Sequence, residues 1–334
     1  MTTRLLMCAM LCLQGRFLMP GVLCLLVASI AWAAVAEPER RPPIIDMHLH
    51  ASVPASPAKH DTCAGAMGAQ TQDACLPVSW SPKAEAAMRQ RTLAQLQHYN
   101  VVGVLHAEQA DAIPAWRQAA PGRIIPSTLP LDPLQIDRQT VARVKAMKAA
   151  GTLAVLGEVG LQHHGIGLDD PRMEAFWALA DEVDLPVGIR VTGPAPDARH
   201  HSAVRGGPQT LAHVLARHPH LRVYLMHAGE PTLDELLAVL DAHPQVYVDV
   251  GQLAYTQSRP AFYRDLQAMV EAGFGNRVMF GSGSRVWPES IGRAIETVNR
   301  APFLDAGQKR DIFYNNAARF LRLSEQQRAQ HQTI

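Results

Sequence analysis

Along most of the chain, short runs of consecutive apolar residues alternate with longer stretches in which apolar positions recur every three or four residues. The short runs are Ile44 to His50, Val101 to His106, Arg123 to Leu129, Leu153 to Glu158, Pro186 to Val191, Leu221 to His227, Val246 to Gly251 and Arg277 to Gly281. Between and after them lie helical patterns at 83–99, 110–120, 134–149, 171–183, 208–218, 231–243, 260–273, 288–300 and 308–322. Runs such as Val101-Val102-Gly103-Val104-Leu105 and Val223-Tyr224-Leu225-Met226 do not alternate with polar residues, which suits parallel strands covered on both faces. Eight strand-helix units in succession predict an α/β fold, a (β/α)8 TIM-type barrel, with its functional site at the C-terminal ends of the strands. A doubly wound sheet is the alternative, but no G-x-G-x-x-G opens the first helix, and Gly165-Ile166-Gly167 is only a fragment of one.

The first 36 residues stand apart. Arg4 and Arg16 are their only charges, a mostly apolar run spans Phe17 to Trp32, and Ala34-Val35-Ala36 closes it. This predicts an export signal cleaved after Ala36, giving a periplasmic or secreted protein. The run is broken by Pro20 and Gly21, so no retained membrane span is expected, and Gly21-Val22-Leu23 lacks the small pair that lipoprotein processing at Cys24 would want. What remains, 37–334, reads as a single barrel domain. Of the 31 Lys and Arg, two belong to the signal, so 29 face 30 Asp and Glu in the remainder; no basic surface results, and nucleic acid is not an expected partner. A segment without periodicity at 51–82 is longer than a compact domain tolerates without a purpose, which suggests a rim loop or lid. It holds Cys63 and Cys75, which read as one disulfide in an oxidising compartment; no His sits at zinc-finger spacing from them.

The chemistry lies at the strand ends. In Asp46-Met47-His48-Leu49-His50 the two imidazoles, two residues apart on a strand, share a face, with Met47 and Leu49 expected opposite. Two neutral imidazoles make half a metal site, although H-x-H alone also suits a polar end to a buried strand. The second strand ends in His106 followed by Glu108, the fourth in Glu158 followed by His163 and His164, and the sixth in His227. Six of the fifteen histidines therefore fall on one predicted rim, whereas His98, His213, His218, His220 and His243 fall on helices or helix ends. Glu158 could equally be a satisfied carboxylate beneath the rim. Gly281-Ser282-Gly283-Ser284-Arg285 could present backbone N–H groups to a phosphate or simply pack as a loop.

Taken together, Asp-Met-His-Leu-His (46–50), Leu-Gly-Glu-Val-Gly (156–160), Leu-Pro-Val-Gly-Ile-Arg (185–190), Leu-Met-His-Ala-Gly (225–229) and Val-Met-Phe-Gly-Ser-Gly (278–283) resemble the amidohydrolase superfamily, in its branch of metal-dependent hydrolases and related decarboxylases. The resemblance runs from Ile44 to Leu323. It implies one divalent metal, with zinc the usual ion, held by His48 and His50 with Glu158 or His227 completing the set, and His227 and Glu158 as catalytic groups; Arg190, His106 and His163 are read from their own places at the strand ends as substrate contacts. The implied activity is hydrolysis of C–N or C–O bonds in a small carboxyl derivative, with decarboxylation on the same scaffold or a non-catalytic binding barrel as alternatives. The implied partner is a small molecule that Arg190 would suit if it bears a carboxylate, and self-association is left open.

Two positions depart from the family pattern: Arg190 stands where a fifth-strand His is usual, and Gly283 where an Asp follows Gly-Ser. The site is then two charges more positive than the pattern. At an effective dielectric near 20 and about 5 Å, each such charge costs a divalent ion roughly 7 kcal/mol. That is comparable with the roughly 10–16 kcal/mol of a well-built zinc site, so another carboxylate or imidazole must compensate if metal is to bind.

Overall fold

The computed structural model describes residues 41–51, 85–107, 111–160, 166–190, 208–228, 233–285 and 287–334, all within the unit Arg41–Ile334. The expected signal (1–36), all of the 51–82 segment after Ala51, including Cys63 and Cys75, and Glu108, His163 and His164 lie outside them.

Eight strands form one parallel sheet in sequence order: β1 (Ile44–His50), β2 (Val101–Ala107), β3 (Ile124–Thr128), β4 (Val155–Val159), β5 (Val187–Arg190), β6 (Val223–Met226), β7 (Val246–Asp249) and β8 (Val278–Met279). The ring closes between β1 and the chain just after β8. Met47 N–H donates to Phe280 O at 2.9 Å, Gly283 N–H to His48 O at 2.7 Å and His50 N–H to Ser284 O at 3.1 Å, with a parallel bridge from Leu49 to Ser284. Helices follow the strands at Glu85–Tyr99, Ala112–Ala119, Arg138–Ala149, Glu174–Glu182, Pro208–Arg217, Leu233–Ala242, Arg259–Glu271 and Ser290–Asn299. This is the (β/α)8 TIM barrel that the apolar pattern predicts. Among the described residues no helix is long and apolar enough to cross a membrane.

Two apolar cores follow from the strand parity. Outward residues such as Leu105, Val187, Ile189, Val223, Leu225, Val246 and Val248 pack against the helices. Inward ones, including Ile45, Met47, Val104, Val155, Tyr224, Met226 and Met279, fill the barrel and meet Tyr314, Ala317 and Phe320 from a C-terminal helical segment. Met47 corrects the expected alternation. The register between β1 and β2 shifts between Asp46 and Leu49, so β1 carries one extra residue there and both Met47 and His48 turn inward. A matching shift between Leu156 and Val159 of β4 lies beside Glu158.

The expected helix at 308–322 is in three pieces, Ala306–Arg310, a π-helical turn Asp311–Asn315 and Asn316–Phe320. The turn leaves Ile312 O to accept from Phe280 N–H at 2.8 Å, which ties this segment to the seam of the barrel. A last helix, Glu325–Thr333, goes beyond the sequence reading. Its start was legible as Ser-x-x-Gln, since Ser324 and Gln327 form a reciprocal capping box.

Candidate metal centre

Four strand ends deliver the central groups. His48 and His50 come from β1, Glu158 from β4, Arg190 from β5 and Asp249 from β7. The Nε2 atoms of His48 and His50 lie 3.3 and 3.2 Å from Glu158 Oε1. These three side chains are the one group of His, Cys, Asp or Glu among the described residues whose donor atoms lie within 4.8 Å of one another. Glu158 Oε1 is buried and accepts no hydrogen bond, so the imidazole nitrogens approach it without the alignment of donors to an acceptor. Three donors around a common point, one of them an orphaned carboxylate oxygen, fit a divalent cation.

The groups behind these donors fix their directions. Asp249, fully buried, lies 3.1 Å from His48 Nδ1 through Oδ2, which leaves Nε2 facing Glu158. Its Oδ1 accepts from His227 N–H at 3.2 Å. Asp46 Oδ1 accepts from the backbone N–H groups of His48 at 3.0 Å and Ser282 at 2.8 Å, so the same carboxylate shapes the β1 bulge and the β8 turn. Glu158 Oε2 is in contact with the Arg190 guanidinium.

Burial and charge set the protonation states. Burial opposes a charged His48, but Asp249 and Glu158 on either side outweigh it and push the imidazole up to about 10. His50 is driven well below its ordinary value by burial. Burial also opposes ionisation of Glu158, yet His50, His48 and Arg190 hold its carboxyl well below the usual carboxylate range. Burial raises Asp46 to about 6.

The remaining expected residues fall in different places. His227 has a left-handed backbone (φ 58°), its ring centroid is 4.7 Å from that of His48, and burial and the nearby His48 lower it to about 4. It lies beside the three-donor group and outside it. His106 is buried beneath the centre. Its Nδ1 is 2.8 Å from Ser127 Oγ, its Nε2 is 3.2 Å from Tyr224 Oη, and Tyr224 donates to Met47 O at 3.2 Å. At 4 % exposure, His106 braces β1 from within the barrel and is screened from the mouth.

Gly283 also departs from the reading of a lost ligand. It has φ +60°, and a Cβ added there would meet the Gln252 backbone nitrogen at 2.7 Å. The carboxylate of this centre therefore comes from β4, not from β8. Asp249 is the residue the sequence reading missed. The signal was there, since it is an acid on the inward parity of the apolar run Val246-Tyr247-Val248-Asp249-Val250.

A barrel whose first strand presents two imidazoles to a carboxylate from a later strand is the architecture of a metal-dependent hydrolase or lyase scaffold. The amidohydrolase family model matches residues 45–323, and the chain belongs to that family. It is similar to the protein fluG of Emericella nidulans, 22% identical over 173 residues, or 45% of this chain; the match spans 20% of that protein's length. Among solved structures it is similar to a probable 2-pyrone-4,6-dicarboxylic acid hydrolase of Acinetobacter baumannii with citric acid bound, at 15% identity and TM-score 0.56 over 84% of this chain and 99% of that one. It is also similar to 5-carboxyvanillate decarboxylase of Sphingomonas paucimobilis, at 16% identity and TM-score 0.55, again over 84% and 99%.

Proposed function

We propose that the protein is a metal-dependent hydrolase of small carboxylate-bearing esters, lactones or amides. The observation that carries this reading is the convergence of His48 Nε2, His50 Nε2 and Glu158 Oε1 beside the partly exposed Arg190 guanidinium. A divalent ion at these donors supplies Lewis acidity toward a carbonyl and a water of lowered pKa. Asp249 fixes His48 for that purpose. Arg190, at the mouth, suits a bidentate grip on a substrate carboxylate. His227, kept neutral by burial, is placed to pass the proton of the attacking water on to the leaving oxygen or nitrogen and is not left protonated.

Arg190 is also what favours hydrolysis over decarboxylation in this reading. Loss of CO2 requires a carboxylate to surrender its charge, and an ion pair with a guanidinium stabilises that charge where it is. The carboxylate held by Arg190 is thus a handle, and the bond broken is another. Fold likeness to proteins named for carboxylated substrates, a hydrolase and a decarboxylase among them, agrees with the carboxylate and does not choose the bond.

We further infer export after cleavage at Ala36 and a Cys63–Cys75 disulfide, which intact mass of the mature protein with and without reductant would check, and a single domain over 37–334, which one cooperative unfolding transition would check. The test of the activity is zinc-reconstituted protein against esters, lactones and amides that carry a free carboxylate beside the scissile bond, with CO2 followed alongside. Water addition without CO2 is the expected outcome. Stoichiometric CO2, or no turnover of any member with metal bound, would sink the hydrolase reading.

A further inference from the structure

We propose that Arg190 couples metal occupancy of this centre to the presence of an anion, so that a divalent ion and a small organic carboxylate each tighten the binding of the other. The proposal rests on the metal centre described above.

The argument begins with where the negative charge goes. Among the described residues Glu158 is the one carboxylate grouped with the His48 and His50 donor atoms, and its second oxygen is in contact with Arg190. Asp249, the next acid, is engaged with the far nitrogen of His48. A divalent ion at the three donors therefore meets one ligand carboxylate whose charge is already offset by a guanidinium at contact distance. Both ion and guanidinium attract Glu158, and they repel each other across it.

Arg190 cannot relieve this by withdrawing into the barrel. The inward position two residues before it is Gly188, where a Cβ would meet Tyr224 Oη at 2.7 Å and Met226 Cε at 2.8 Å, so the interior below is filled by other side chains. It extends toward the C-terminal rim of the barrel instead. The Arg190 side chain is 29 % exposed, against 8 % for Glu158 and 1 % for His48. An anion entering the mouth thus meets the guanidinium before it meets any donor. Once paired with it, the anion cancels the charge that opposes the metal, while Arg190 still holds Glu158 Oε2 in place and Oε1 toward the histidines. Because such coupling is reciprocal, the metal strengthens the hold on the anion by the same factor.

The test measures binding, not turnover. Metal-stripped full-length protein is titrated with Zn2+ against a chromophoric chelator, with and without millimolar benzoate, for the parent, Arg190→Met and Arg190→Lys, with circular dichroism of each as a folding control. In the parent, benzoate tightens Zn2+ by a factor within roughly 5–150. In Arg190→Met, Zn2+ binds tightly without benzoate and benzoate changes nothing, while Arg190→Lys keeps part of the effect. Zn2+ binding in the parent that ignores benzoate overturns the coupling and leaves the metal centre standing, and so does an equal benzoate effect in the parent and Arg190→Met. No Zn2+ binding by any variant, with or without benzoate, overturns centre and coupling together. Should Arg190→Met fail to fold, the parent and Arg190→Lys titrations still decide.

Discussion

Asp249 Oδ2 lies 3.1 Å from His48 Nδ1, a contact that reaches from the end of β7 past β8 to β1. Partners of this kind set the tautomer and direction of a ligating imidazole and contribute about 10–100-fold to metal affinity. Asp249→Asn, which keeps the volume and loses the charge, is expected to weaken Zn2+ binding by about that factor with the fold retained. Unchanged affinity in a chelator competition would show that His48 is oriented by something else.

The turn at Gly283 leads to an expectation opposite to the one its family position suggests. Placing an Asp there looks like restoring a ligand, but φ +60° and the 2.7 Å approach of Gln252 N to a Cβ oppose any side chain. A left-handed non-glycine residue costs about 1–2 kcal/mol before the contact is counted. Gly283→Asp should therefore lower the melting temperature and retain no more zinc than the parent. A variant equally stable and richer in metal would mean that the seam is not built as described.

Under Arg190, Gly188 lets Tyr224 and Met226 approach β5 closely. Gly188→Ala overpacks this layer and should cost about 1–3 kcal/mol in urea unfolding. It should also shift Tyr224 away from His106, 3.2 Å apart in the parent, which the fluorescence of Tyr224 in a background lacking other reporters would register. Parent-like stability would argue that the barrel interior is looser than its contacts imply.

A pH dependence remote from the centre arises at His331, buried on the last helix with Nδ1 3.1 Å from Tyr314 Oη. Burial lowers this imidazole from its ordinary 6.5. The unfolded chain then takes up the proton first as pH falls, so the stabilisation is complete above the unfolded value and is lost between 6.5 and the lower folded value. The difference in unfolding free energy between the parent and His331→Phe should shrink from about pH 8 to about pH 5. A constant difference would remove His331 from the acid response.

How far the sequence speaks depends on the kind of constraint. The barrel was legible because each strand, covered on both faces, must be apolar throughout, and each helix must carry an apolar stripe. His48 and His50 were legible for the same local reason, two residues on one strand end. Met47 was not, because an extra residue in β1 is visible only in the pairing with β2. Nor was the partnership of Glu158 with Arg190, since 32 residues separate them and only the adjacency of β4 and β5 brings them together. Gly283 is the instructive case: the sequence shows what is absent from it, while the fold shows the backbone it must adopt.

The seam between β1 and the chain after β8 gives the centre a place in time as well as in space. Gly283 N–H donates to His48 O and Ser282 N–H to Asp46, joining residues over 230 positions apart through the same stretch that bears both imidazoles. Contacts of such long separation carry the largest loop-closure cost and need the whole intervening chain. A nascent chain still on the ribosome and ending before Val278 would own every donor of the centre and yet lack the backbone that aligns them. Metal binding at the proposed centre would thus depend on the stretch after β8 as much as on the side chains that touch the ion.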